Sequence, residues 1–108
     1  ESLHKTFTAL IPECNGRTCA NVAYGMAKAG MSSQQGVVVA RFFEAIVDQA
    51  LLHLKDFNPQ DFANTLWAFA KAGHASPALF DAIAELATSC LADFSPQQLS
   101  NTVWAFAV

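Results

Sequence analysis

Asp56-Phe57-Asn58-Pro59-Gln60-Asp61-Phe62-Ala63-Asn64-Thr65-Leu66-Trp67-Ala68-Phe69-Ala70 decides the fold, because the chain writes this stretch twice. The segment from Asp93 to Ala107 repeats it at a shift of 37, with ten of fifteen positions identical, far above chance. An older copy lies upstream at a shift of 43. There Asn15 matches Asn58, Asn21 matches Asn64, Tyr24 matches Trp67, and Ala27-Lys28-Ala29-Gly30 matches Ala70-Lys71-Ala72-Gly73. The intervening segments correspond as well: Phe43 with Phe80, Glu44 with Asp81, Ala45-Ile46 with Ala82-Ile83, and Leu54 with Leu91. Self-similarity at such a period marks a repeat architecture. The units are about 14–56, 57–93 and an incomplete 94–108. The six extra residues of the first unit fall between Gly30 and Phe42 and read as a longer loop.

Each unit reads as two helices. In the second unit Asn58 stands at the N-cap, where its side chain accepts from a free amide of the first turn. Pro59 occupies the first helical position, where a missing N–H costs nothing. Asp61 lies three residues past the cap, where a negative charge suits the helix dipole. Phe57 and Phe62 fit a hydrophobic staple. The third unit repeats the device with Ser95, Pro96, Gln98 and the Phe94/Leu99 pair. Gly73 ends helix A by accepting a left-handed conformation, and Ser76-Pro77 starts helix B. We therefore expect helix A near 16–30, 59–72 and 96–108, and helix B near 37–55 and 77–91. Residues Ser2 to Leu10 read as the end of an earlier helix B. No period-2 alternation bounded by hairpin residues competes. The expected fold is all-α, an α-solenoid of stacked helix-turn-helix repeats of about 37 residues. The chain starts at Glu1 and stops at Val108 inside a repeat, so we expect a segment of a longer solenoid.

Composition narrows the function. The chain has 108 residues, 53% of them hydrophobic and only 14% charged, which excludes intrinsic disorder. No apolar run approaches the roughly 18 residues of a membrane span. Six Lys/Arg against nine Asp/Glu give a net charge of −3, against the basic excess usual in an isolated nucleic-acid domain. Cys14, Cys19 and Cys90 lack CxxC spacing and read as small buried hydrophobes. His4, His53 and His74 are scattered, so no metal site is expected, and no Gly-rich phosphate loop appears. His74, just past the Gly73 stop, reads as solvated.

The block Phe-x-Pro-Gln-x-x-x-Asn-Thr-x-Trp-Ala-Phe-Ala, followed in the first two units by Lys-Ala-Gly, resembles the octotricopeptide repeat family of algae and related protists. It is more distantly similar to the repeat region of FAST-kinase-like proteins. The resemblance covers about Cys14 to Val108. It implies a helical-hairpin solenoid, targeted to a mitochondrion or plastid and bound to organellar RNA. The first unit departs from the pattern with Tyr24 for Trp and Gly16 for Pro.

On a helical wheel, Phe62, Ala63, Leu66, Trp67, Phe69 and Ala70 take one broad side of helix A, while Gln60, Asn64 and Lys71 form a narrow polar stripe. The equivalent stripes are Arg17, Asn21 and Lys28 in the first unit, and Gln97 and Asn101 in the third. Side by side, these are the candidate RNA-binding residues: Asn and Gln offer donor and acceptor to base edges, and Lys or Arg neutralises phosphate. Asn21, Asn64 and Asn101 read first as an Asn ladder that satisfies buried polar atoms between helices. For Lys28 and Lys71 the alternative is the helix dipole alone, which favours a cation in the last turn. Tyr24, Trp67 and Trp104 read as structural residues of the repeat, Trp67 and Trp104 being buried between units; stacking on bases is their other reading. Glu44 and Asp48, and Asp81 and Glu85, are acid pairs four apart with no His, Lys or metal partner at matching spacing, and read as a solvated face of helix B.

No nucleophile–base constellation appears, so the chain reads as a non-enzyme needing no cofactor. Two functions remain open: a helical-repeat binder of single-stranded organellar RNA, or a protein-binding scaffold or accessory subunit of a large organellar assembly such as a mitochondrial ribosome or photosynthetic complex. The charge of the helix A face discriminates between them.

Overall fold

The computed structural model describes residues 15–74 and 76–107. Every regular element among them is helical: α1 (Gly16–Lys28), α2 (Val37–His53), α3 (Pro59–Ala72), α4 (Pro77–Thr88) and α5 (Pro96–Ala107), with one-turn 3₁₀ segments at Ser33–Gln35, Leu54–Asp56 and Leu91–Asp93. The expected earlier helix over Ser2 to Leu10, together with Cys14 and Val108, lies outside the described residues.

Local chemistry starts each helix A. Asn58 Oδ1 accepts from the Asp61 amide at 2.7 Å, and Asp61 Oδ2 accepts from the Asn58 amide at 3.1 Å. Ser95 and Gln98 close the same reciprocal box at 3.1 and 2.9 Å. Both boxes satisfy two amides that have no partner inside the helix. Asn15 caps α1 by accepting from the Thr18 amide at 2.9 Å. Gly16 stands where the other units have proline, and packing explains it: a Cβ there would lie 2.7 Å from ring carbons of Phe57. Ser76 precedes α4 without capping it through its side chain.

α1, α2 and α4 end earlier than the sequence pattern implies, and α3 ends where it is expected. α1 stops at Lys28, and Gly30 follows at φ 84°. α3 stops at Ala72 before Gly73 at φ 69°, the left-handed conformation that glycine adopts without a Cβ penalty. The pattern carries helix B to 55 and 91. Instead α2 and α4 stop at His53 and Thr88, and in each unit the chain then tightens into a 3₁₀ turn before Phe57 or Phe94. The longer first loop carries its own box on Ser32 and Gln35, and Gln35 Nε2 donates to the Gly30 carbonyl at 3.2 Å.

α1, α3 and α5 lie side by side as one layer, with α2 and α4 behind it. Buried alanines at Ala20, Ala23, Ala27, Ala63 and Ala105 keep the side chains in this layer short, which permits close helix approach. The core between the layers is built on Phe43, Ile46, Leu66, Phe69, Leu79 and Ile83. A second seam runs along the helix starts. Phe57 packs on Phe62 at 5.4 Å, as the staple requires, and Phe62 stacks on Phe94 of the next unit at 6.4 Å and 6°. No helix among the described residues is long and apolar enough to cross a membrane.

Candidate nucleic-acid interface

Packing buries α3 on nearly every side and leaves one stripe facing outward. Gln60 and Lys71 are exposed, and Asn64 and Trp67 are half-buried. Their spacing of four, three and four residues keeps them on one line of the helix, about 16 Å long at ~1.5 Å per residue. The same line on α1 is Arg17, Asn21, Tyr24 and Lys28, and on α5 it is Gln97, Asn101 and Trp104. Because the three helices form one layer, the three lines share one surface. It is polar at one end, aromatic in the middle and cationic at the other end.

At the polar end the structure gathers four of the residues singled out from the sequence. Arg17, Asn21, Gln60 and Asn64 line a groove of about 230 Å³ together with Asn58 and Asp61. Asp61 is 5% exposed and already accepts from the Asn58 amide, so its carboxylate is turned into the helix start. The expected Asn ladder does not form. Among the described residues the side chains of Asn21, Asn64 and Asn101 make no hydrogen bond, because Asn21 is exposed and the other two are half-buried at the surface. Their donors and acceptors face solvent. Gln97 and Asn101 extend the surface onto α5, while Lys28 and Lys71 stand exposed at its other end.

The aromatic band corrects the expectation of buried tryptophans. Tyr24 and Trp67 lie 5.1 Å apart, and Trp67 and Trp104 lie 6.5 Å apart, so the rings do join successive units. Trp67 is nevertheless only half-buried, and Trp104 is 42% exposed. The reason is their place on the outward line of the helix rather than on its apolar side. Both spacings are those of rings in mutual contact, which leaves no gap for a base between them. The open stacking surface of the band is Trp104.

Two further readings change. His74 is not solvated. Its side chain is 10% exposed, lies over Phe43 at 5.5 Å and 21°, and meets Phe69 edge-on at 5.8 Å. The acid pairs on helix B are exposed as expected, but Glu44 does have a partner: His74 Nε2 donates to its Oε2 at 2.5 Å. The two residues are thirty apart in sequence, and only the packing of α3 against α2 brings them together. Among the described residues no three His, Cys, Asp or Glu side chains cluster as a metal site would require.

Charge divides between the layers. The outward lines of α1 and α3 carry Arg17, Lys28 and Lys71, all exposed, and the one acid on α1, α3 and α5 is the tucked-in Asp61. α2 and α4 carry Glu44, Asp48, Asp81 and Glu85, all exposed, with Arg41 as their one Lys or Arg. The net charge of −3 thus hides a cationic face and an acidic face.

No family model, curated protein or solved structure matches the chain at a significant level.

Proposed function

We propose that this chain is a segment of an α-solenoid that binds single-stranded RNA, with α1, α3 and α5 as the reading surface. The observation that carries the reading is the segregation of charge. The face that presents unbonded Asn and Gln side chains is also the face that holds Arg17, Lys28 and Lys71, while Glu44, Asp48, Asp81 and Glu85 sit on the opposite layer, Asp56 and Asp93 lie in the connecting turns, and Asp61 is tied to the helix start. A cationic surface attracts the phosphate backbone, and amide side chains with free donors and acceptors match base edges. Trp104 adds an aromatic face on which one base can stack. A solenoid is supported by the recurrence of the same contacts one unit on, in the capping boxes and in the ring pairs. A mitochondrial or plastid setting follows from the octotricopeptide resemblance alone.

The test is fluorescence anisotropy with a short mixed-sequence single-stranded RNA, titrated at several salt concentrations. Replacing Lys28 and Lys71 by Gln weakens binding to all sequences and flattens the salt slope by about 0.7 for each phosphate that is no longer neutralised. Gln60→Ala or Gln97→Ala leaves the slope alone and shifts the preference among homopolymers. Unchanged affinity and slope in the double Lys variant overturns the RNA reading. That result would favour the second reading, a protein-binding scaffold or accessory subunit of a large organellar assembly, for which the exposed apolar residues Leu99, Val103 and Phe106 on α5 speak.

A further inference from the structure

The groove between the starts of α1 and α3 holds two opposite charges that do not meet. Arg17 lines it from α1 and Asp61 from α3, and Asn21, Asn58, Gln60 and Asn64 complete its wall. Arg17 is exposed and has no ion pair or hydrogen bond among the described residues. Asp61 is 5% exposed, and its Oδ2 accepts from the Asn58 amide. Its Oδ1 accepts from no described group, yet it is not sealed from solvent. The next seam lacks this arrangement. Where α3 meets α5, Gln60 stands in the place of Arg17 and Gln98 in the place of Asp61. Gln98 Oε1 accepts from the Ser95 amide at 2.9 Å, so the capping box works without a carboxylate. The charge of Asp61 is therefore not explained by the helix start, and an unpaired anion this deep is costly unless something answers it.

We propose, taking this surface as an RNA-binding face, that the groove is a seat for one guanine base. Guanine sets two donors side by side, N1–H and N2–H2, and two acceptors side by side, O6 and N7. A carboxylate only accepts and a guanidinium only donates, so the two walls match those two edges. Asp61 Oδ1 accepts from the donor pair, and Arg17 donates to O6 and N7, a common bidentate contact of arginine with a base. The other bases fail at the carboxylate. Adenine and cytosine each set a ring-nitrogen acceptor beside the amino donor, and uracil flanks its single N–H with two carbonyls. Each brings a lone pair against the anion. The bases of single-stranded RNA are unpaired and turn either edge toward a protein. Arg17 across the groove also offsets the repulsion between Asp61 and the phosphates. Of the two seams among the described helices, only the first carries this charge pair, so only the first reads guanine.

The probes are uridine octamers with one central G, A, C or inosine, titrated against the whole chain by fluorescence anisotropy. The G octamer is expected to bind about tenfold more tightly than the A and C octamers. Inosine keeps N1–H, O6 and N7 but lacks the N2 amine, and loses about fivefold against G. Asp61→Gln installs the capping residue that the third unit already uses, and brings the G and A octamers to equal affinity. Arg17→Gln, at an exposed position away from the box, narrows the same preference. Should Asp61→Gln unfold, the inosine comparison and Arg17→Gln decide. Equal binding of all four octamers by the unaltered chain overturns the guanine seat. So does a G preference that survives Asp61→Gln, or an inosine octamer that binds as tightly as G. In those cases a salt slope that still depends on Lys28 and Lys71 leaves the RNA reading standing. Absence of any salt-dependent binding removes the RNA reading and the seat together.

Discussion

α3 and α5 are nearly the same sequence in two different places. Leu66 on α3 is fully buried, whereas its counterpart Val103 on α5 is 66% exposed; Phe69 is fully buried, whereas Phe106 is 47% exposed. Trp67 is half-buried and Trp104 exposed. The helix starts do not share this difference, since both carry the reciprocal capping box with similar distances. The capping, which depends on three neighbouring residues, is equal in the two helices. Whatever depends on a neighbouring helix is not. α3 lies between α1 and α5, while among the described helices α5 has α3 on one side only.

The widest separation is expected at the paired phenylalanines. Phe69→Ala removes a fully buried ring and costs about 3–5 kcal/mol. Phe106→Ala removes mainly the edge-to-face packing on Phe80 and costs about 1 kcal/mol. Urea denaturation followed by circular dichroism measures both, and equal losses of stability would break the comparison. At the caps the comparison should vanish. Asn58→Ala and Ser95→Ala are each expected to cost about 1 kcal/mol, because each leaves one helix-start amide without its acceptor. If the Asn58 change proved several times more costly, the box would owe its strength to tertiary packing. The smallest effect has the opposite sign. Thr65 Oγ1 is buried without a partner among the described residues, whereas Thr102, one unit later, donates to the Gln98 carbonyl at 2.8 Å. Thr65→Val is expected to stabilise by up to about 1 kcal/mol, and the first unit already has Val22 at this position. Thr102→Val gains nothing. A melting temperature that falls for Thr65→Val would mean that the hydroxyl finds a partner in solution.

The site divides along the same line. Gln60, Asn64, Trp67 and Lys71 are spaced so that any α-helix aligns them, and the wheel already places the three polar ones together. That Arg17, Asn21, Gln60 and Asn64 share one groove follows from α1 lying against α3, which the repeat makes readable. The state of the asparagines is not readable. Asn at a fixed helical position suits a buried ladder and an open surface equally well, and only the depth of Asn21, Asn64 and Asn101 in the layer separates the two. Trp67 and Trp104 mislead because a large aromatic suggests burial, while their line on the helix points outward. His74 and Glu44 carry no local signal at all. The repeat does not show the pair either, because Glu44 matches Asp81 but His74 matches Met31 in the first unit.

By itself the sequence determined where helix A begins and where its second copy ends. Cap side chains reach only three residues, proline and glycine act through their own dihedrals, and these short-range terms need no partner helix. It also determined that the starts of α3 and α5 are alike, since equal local chemistry yields equal caps. Tertiary structure alone decided which copies of the motif are covered. Burial is a property of the space between helices, so Phe69 and Phe106, identical in type and in neighbours along the chain, end on opposite sides of the boundary between core and surface.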